Sequence, residues 1–201
     1  YDVVGRKSLV SYPSYTPPGG SAVIPTESFA YDAVGNLVSS TNRLGETTTF
    51  TFDMMNRVVR QTDPAVGTAA AGVSTFTYDD AGNRLSVTNQ VGAFTEYEYD
   101  AMNQVITTRV HVRRAGGEDI NVTTVVRDLA GRPIQTCQPA VNGQTSCSYA
   151  SYSPMGEVLT TTDAVGNTTF ASYDGLGRQN SLKDAAGHET VTGYDLAGRV
   201  S

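Results

Sequence analysis

The sequence has no tryptophan, two cysteines, two histidines, and few charges of either sign. Its 14 Lys and Arg face 20 Asp and Glu, for a net charge of −6. Without basic runs, a chain of this balance is a poor match for a phosphate backbone, so no nucleic-acid partner is expected. No apolar run approaches the ~18 residues of a membrane-crossing helix, so no membrane span is expected, and no signal-peptide pattern opens the chain. Large aliphatics are also scarce: Leu, Ile, Val and Phe together come close to the ~20% level below which chains tend to stay disordered. Disorder also calls for high net charge, yet only 17% of residues are charged. What is abundant is valine (23) and threonine (26). Both are β-branched and suit a pleated surface better than a helix. An all-β fold follows.

One short phrase returns nine times. It stands at Tyr1-Asp2, Tyr31-Asp32, Phe52-Asp53, Tyr78-Asp79, Tyr99-Asp100, Arg127-Asp128, Tyr152-Ser153, Tyr173-Asp174 and Tyr194-Asp195. Three residues after the second member comes Gly or Asn each time: Gly5, Gly35, Asn56, Gly82, Asn103, Gly131, Gly156, Gly177 and Gly198. The basic period is 21 residues, and longer intervals are insertions. An Asp side chain accepts backbone amides within a turn, and Gly or Asn tolerates the positive φ that closes it. The phrase therefore reads as a type I turn followed by a left-handed residue, a three-residue hairpin loop. A second turn phrase alternates with it, at Asn42–Gly45, Asn89–Gly92, Asp163–Gly166 and Asp184–Gly187, with a longer variant from Asp63-Pro64. The spacing between turns leaves strands of roughly seven to eight residues, ~25 Å long.

An odd period raises a parity problem, because side chains alternate faces every residue. For the tyrosines to share a face, one turn must have an even loop or one strand must carry a bulge. The expectation is an even loop at the second turn type. Aliphatic residues recur six positions after the Asp (Val38, Val59, Leu85, Ile106, Ile134, Leu159), while runs such as Thr47-Thr48-Thr49 cover the rest. Neither face is oily enough for a dry core. A long antiparallel hairpin ribbon of this kind is expected to curl or spiral as part of a β-shell. Residues 1–201 read as one repeat array. Residues 11–28 read as an irregular Pro/Gly-rich insertion, Val66–Val73 as a small-residue loop, and 109–121 as a third loop, with Arg113-Arg114 solvated.

Tyr31-Asp-Ala-Val-Gly-Asn36, Tyr78-Asp-Asp-Ala-Gly-Asn83, Tyr173-Asp-Gly-Leu-Gly-Arg178 and Tyr194-Asp-Leu-Ala-Gly-Arg199 resemble the YD repeat of Rhs proteins. Similar repeats occur in bacterial wall-associated toxins, in the B and C subunits of insecticidal toxin complexes, and in teneurins. The resemblance implies a β-ribbon spiralling into a hollow cocoon, secreted or at the cell surface. Its partners would be adjacent repeats of the parent chain and, in bacterial members, an enclosed C-terminal toxin or effector domain. The departures are Phe52 for Tyr, Arg127 at the Tyr position and Ser153 at the Asp position. The family's terminal Asp-Pro-x-Gly-Leu-type phrase, tied to self-cleavage, has no match. Asp63-Pro64 shares only its first two letters.

The repeated Asp residues are expected to be turn caps rather than calcium ligands, since one carboxylate per 21 residues does not build a cluster of six to eight oxygens. The tyrosines are expected to form a structural ladder; the alternative is a surface adhesion module binding glycans or proteins. Neither paired carboxylates nor a nucleophile signature beside His111 or His188 suggests an enzyme, and no cofactor is implied. Cys137 and Cys147 bracket an Asn142-Gly143 hairpin tip. A cross-strand disulfide there would suit a secreted protein, and two small buried thiols are the alternative.

Overall fold

The computed structural model describes every residue except 66, 68, 69, 115, 142 and 143. The expected tip at 142–143 and the centre of the Val66–Val73 loop lie outside the described residues. No helix occurs among the described residues, and the order of strands in the sheet is their order in the chain. Two compact units are present, Tyr1–Thr95 and Glu96–Ser201. The first holds β1 (Leu9–Ser11), β2 (Thr26–Tyr31), β3 (Leu37–Thr41), β4 (Thr47–Phe52), β5 (Val58–Thr62), β6 (Val73–Tyr78) and β7 (Arg84–Thr88). Strand β8 (Phe94–Tyr99) spans the division. The second unit continues with β9 (Val105–Arg114), β10 (Gly117–Arg127), β11 (Pro133–Val141), β12 (Gln144–Tyr152), β13 (Val158–Thr162), β14 (Thr168–Tyr173), β15 (Gln179–Lys183) and β16 (Glu189–Val191).

Both turn phrases close in one way. The amide of the first residue donates to the carbonyl four residues on, and the amide of the Gly or Asn donates back to the first carbonyl. Asp32 N to Asn36 O (2.9 Å) and Gly35 N to Asp32 O (3.2 Å) match Asn42 N to Glu46 O (2.9 Å) and Gly45 N to Asn42 O (3.0 Å). Both loops are therefore odd, and the expected even loop at the second turn does not exist. Parity is instead restored by a bulge after the first-type turns at Tyr31, Phe52, Tyr78, Arg127, Tyr152 and Tyr173. Tyr31 pairs with Leu37 but Ala30 pairs with Ser39, leaving Val38 extra. The same shift leaves Val59, Leu85, Ile134 and Leu159 extra. Five of the aliphatics six positions after the Asp are thus bulge residues. Each inserts one position, so that a period of 21 keeps the aromatics on one face.

Regular strands run five or six residues, shorter than expected because the turn's closing pair and the bulge consume ladder positions. Residues 109–114 and 117–121 are strand rather than loop: β9 and β10 pair from Arg114↔Gly117 to Thr107↔Thr124. Two long strands there satisfy backbone groups that a loop would leave to water. Residues 11–28 keep partial pairing through Tyr12 N to Pro25 O (2.9 Å) and Tyr15↔Val23, around a turn closed by Gly20 N to Pro17 O. Among the described residues only Cys137 and Thr107 are buried, each at 7% exposure. Among these residues no dry core forms, and the structure rests on backbone ladders and contacts between neighbouring turns.

Candidate functional site

The repeated turn is the feature that chemistry has shaped most, and the unit at Asp53 shows its parts. Asp53 Oδ1 accepts the amides of Met55 and Arg57, both at 2.9 Å. Its Oδ2 accepts Arg57 Nε at 2.7 Å. The rest of the guanidinium leaves its own turn: Nη1 donates to the carbonyl of Asp79 (2.6 Å), one repeat later. The plane lies over the Tyr78 ring, 4.7 Å from its centroid. Tyr78 Oη closes the circuit by donating to Val58 O (2.9 Å). One arginine thus caps its own turn and staples it to the next, a task that suits a planar fork of donors.

The unit recurs. Arg6 joins Asp2, the carbonyl of Asp32 and the Tyr31 ring. Arg132 joins Asp128, the carbonyl of Ser153 and the Tyr152 ring. Arg178 joins Asp174 and the Tyr194 ring. The tyrosine hydroxyls of 31, 152, 173 and 194 donate to Lys7, Pro133, Val158 and Gln179 carbonyls. At the Tyr position Arg127 keeps that link with a guanidinium, Nη2 to Val105 O at 3.5 Å. Its Nε is the one buried side-chain polar atom without a partner among the described residues. At Asn36, where Asn follows the Gly, an amide keeps the cap: it donates to Asp32 Oδ2 and to Asn56 Oδ1, each at 2.9 Å.

Of the residues singled out in the sequence, Tyr31, Asp32, Gly35, Asp53, Asn56, Tyr78, Asp79, Gly82, Asp174, Gly177, Tyr194, Asp195 and Gly198 all take these turn and ladder places. Asp100 accepts the amides of Met102 and Gln104, and Asn103 closes its turn. The arginines are the functional residues that the sequence reading did not single out: they pair with their own Asp and cover the next tyrosine. The signal was present, since Arg6, Arg57, Arg132 and Arg178 each follow the turn Gly or Asn and precede a repeat that begins with Tyr.

Replacing Arg57 with Met is expected to lower the melting temperature by about 2–5 °C. Arg57→Lys should recover little of it, because an ammonium cannot reach both the carboxylate and the next carbonyl while stacking. Equal melting curves for Lys and Arg would contradict the staple.

The carboxyl groups of Asp128 and Asp174 titrate low. In Asp128 and Asp174 the side-chain bonds from Arg132 and Arg178 are the largest cause, followed by the same residues' amides. His111 goes the other way. It donates Nε2 to Glu96 (3.0 Å) and Nδ1 to Glu118 (3.3 Å), and these bonds, Glu96 first, raise its pKa above 6.5. A depressed Asp stabilises the fold fully above the unfolded value of 3.8 and loses that contribution as pH falls through the folded value. A raised His contributes fully below 6.5 and loses it as pH rises through the folded value. Urea midpoints measured across pH should therefore be flat between, with an acid limb lying below 3.8 and an alkaline limb above 6.5. His111→Gln should erase the alkaline limb alone.

Cys137 and Cys147 pair directly across β11 and β12 and are joined as a disulfide. The Asp oxygens are occupied by amides and guanidinium groups, and no cluster of three metal-ligating side chains forms among the described residues.

The family model described as RHS Repeat matches residues 31–65 and 78–118. No curated protein matches the chain. The whole chain superposes on part of the TcdB2-TccC3-Cdc42 crystal structure, at a TM-score of 0.54 and 15% identity. It does the same with TcdB2-TccC3 determined without a hypervariable C-terminal region, at 0.53 and 16%. In each case it spans 12% of the neighbour's length, and the likeness is one of fold.

Proposed function

As a member of the Rhs/YD-repeat family, this chain, we propose, is a non-catalytic wall segment of a shell that encloses and shields a toxin or effector cargo. The observation that carries the reading is the combination of one strand-after-strand sheet with almost no buried side chain among the described residues. A globular domain spends its apolar residues on an interior. Here they go to bulges and turn-to-turn stacks, which stiffen a sheet that is wet on both faces. Exclusion needs a sealed backbone ladder and no reactive group. The 12% span of the structural neighbours supports a segment built into a larger array. The disulfide supports an oxidising location, secreted or at the cell surface.

The test is protease protection in the product of the complete gene. A domain encoded with these repeats should resist protease while the wall is intact and become sensitive once the turns are broken by substitution. Cleavage at the same rate in both states would overturn the reading. Saturable binding of the isolated chain to a glycan array would favour the adhesion alternative.

A further inference from the structure

Four of the ladder tyrosines are covered by an arginine of the preceding repeat, at 4.6 Å for Arg6 on Tyr31, 4.7 Å for Arg57 on Tyr78, 4.7 Å for Arg132 on Tyr152 and 4.4 Å for Arg178 on Tyr194. Tyr173 has the same backbone setting. Its hydroxyl donates to Val158 O at 3.0 Å, as Tyr78 does to Val58. The residue that should cover it, however, is Glu157, and the capping residue of that turn is Ser153 instead of Asp. Glu157 Oε2 is held by the Ser153 hydroxyl. Its Oε1 lies 3.4 Å from where a Cβ at Gly177 would sit. In the covered repeats an arginine Nη1 occupies that place, 3.6 Å from the corresponding point at Gly35, 3.8 Å at Gly156 and 3.7 Å at Gly198. The charge at this position is therefore reversed. An open cavity of about 510 Å³ remains over the site, lined by Glu157, Tyr173, Met155, Leu159 and Asp174.

We propose that this notch is a docking site for an arginine side chain presented by a partner protein segment. A guest guanidinium would find the three things that the chain's own arginines find. The Tyr173 ring supplies a face. Glu157 takes the part of the capping carboxylate. The Asp174 carbonyl stands where Arg57 meets that of Asp79 at 2.6 Å and Arg132 that of Ser153 at 2.9 Å. The Asp174 carboxylate itself is already held by Arg178 at 2.7 Å, so Glu157 is the charge that selects the guest. A cavity of about 490 Å³ beside Phe52 is the internal contrast. There Asn36 and Asn56 stand in place of a charged pair, and Asp32 and Asp53 are both engaged by their own turns. It has an aromatic face, but its two carboxylates are taken up by their own turns and none stands at the place that Glu157 holds. The net charge of −6 favours a basic partner in general, and the notch gives that attraction a geometry.

The four methionines make the test direct, because Met155 lines the Tyr173 notch and Met54 lines the contrast cavity. The 201-residue chain, labelled with ¹³C at its methionine methyls, is titrated with the capped peptide Gly-Arg-Gly and separately with Gly-Lys-Gly. The expected result is a saturable shift of the Met155 methyl with the arginine peptide and none at Met54. The lysine peptide, Glu157→Gln and Tyr173→Leu should each weaken binding about threefold or more, the size of an exposed cation–π contact. Glu157→Arg should abolish binding by filling the notch from within the chain. Parallel movement of Met155 and Met54, equal binding of the two peptides, or an unchanged titration in Glu157→Gln would each overturn the assignment. The wall reading does not depend on this site, and protease protection would be unaffected by its failure.

Discussion

Reduction of the Cys137–Cys147 bond is expected to destabilise the unit Glu96–Ser201 by about 2–3 kcal/mol, the loop-closure entropy of a bridge across roughly ten residues. The two cysteines face each other in the register, their Cα atoms 4.0 Å apart, with Gln135↔Tyr149 and Thr136↔Ser148 paired beside them. Few other contacts can compensate, because Cys137 is itself one of the two buried residues among those described. In an array whose units lean only on neighbours, loss at one hairpin is felt first by the strands alongside it. Urea unfolding with and without dithiothreitol measures the effect, and the double substitution Cys137→Ala with Cys147→Ala should reproduce the reduced value. Coincident midpoints in oxidised and reduced protein would show that the bridge restrains nothing the ladder does not already hold.

Gly82→Val should cost about 1–2 kcal/mol or more, and Gly82→Asn distinctly less. Gly82 has φ of 93°, and a side chain added there would meet nothing within 4 Å. The penalty is therefore one of backbone conformation rather than of collision, ~1–2 kcal/mol for an ordinary residue in the left-handed region and more for a β-branched one. The chain supplies its own control, since Asn56 and Asn103 hold the equivalent place with φ of 61° and 60°. Thermal melts of the parent, Asn and Val proteins should rank in that order. A valine variant as stable as the asparagine variant would mean that the turn can close without the left-handed residue, and the explanation of the repeat would fall with it.

The turn phrase was legible because its logic is local. Asp32, Gly35 and their counterparts lie within five residues of one another, and the donors they need are their own backbone amides. The disulfide partners lay close enough in sequence to be paired by a hairpin alone. Less was visible at 109–121. Its glycines and charges look like a loop, yet Arg109, His111 and Arg114 are held by Glu98, Glu96, Glu118 and Asp119 along paired strands. Those partners come from β8 and β10, and an acid's role in holding a strand depends on which strand lies beside it.

The bulge and the staple were hidden for a related reason. Period and parity required an extra residue or an even loop somewhere, and Val38 and Val59 already stood out as a recurring aliphatic position. Only the pairing of Ala30 with Ser39 and of Thr51 with Arg60 shows that these residues are the insertion. In the same way Arg57 stands in the sequence beside Asp53, four residues away, whereas Tyr78 and Asp79 are a full repeat further on. By itself the sequence determined the all-β class, the beat of the turns and the chemistry inside each one, because these rest on backbone preferences within a few residues. The tertiary structure alone decided how one turn holds the next and where a ring is left uncovered, because those contacts join atoms some twenty residues apart that only strand register brings together.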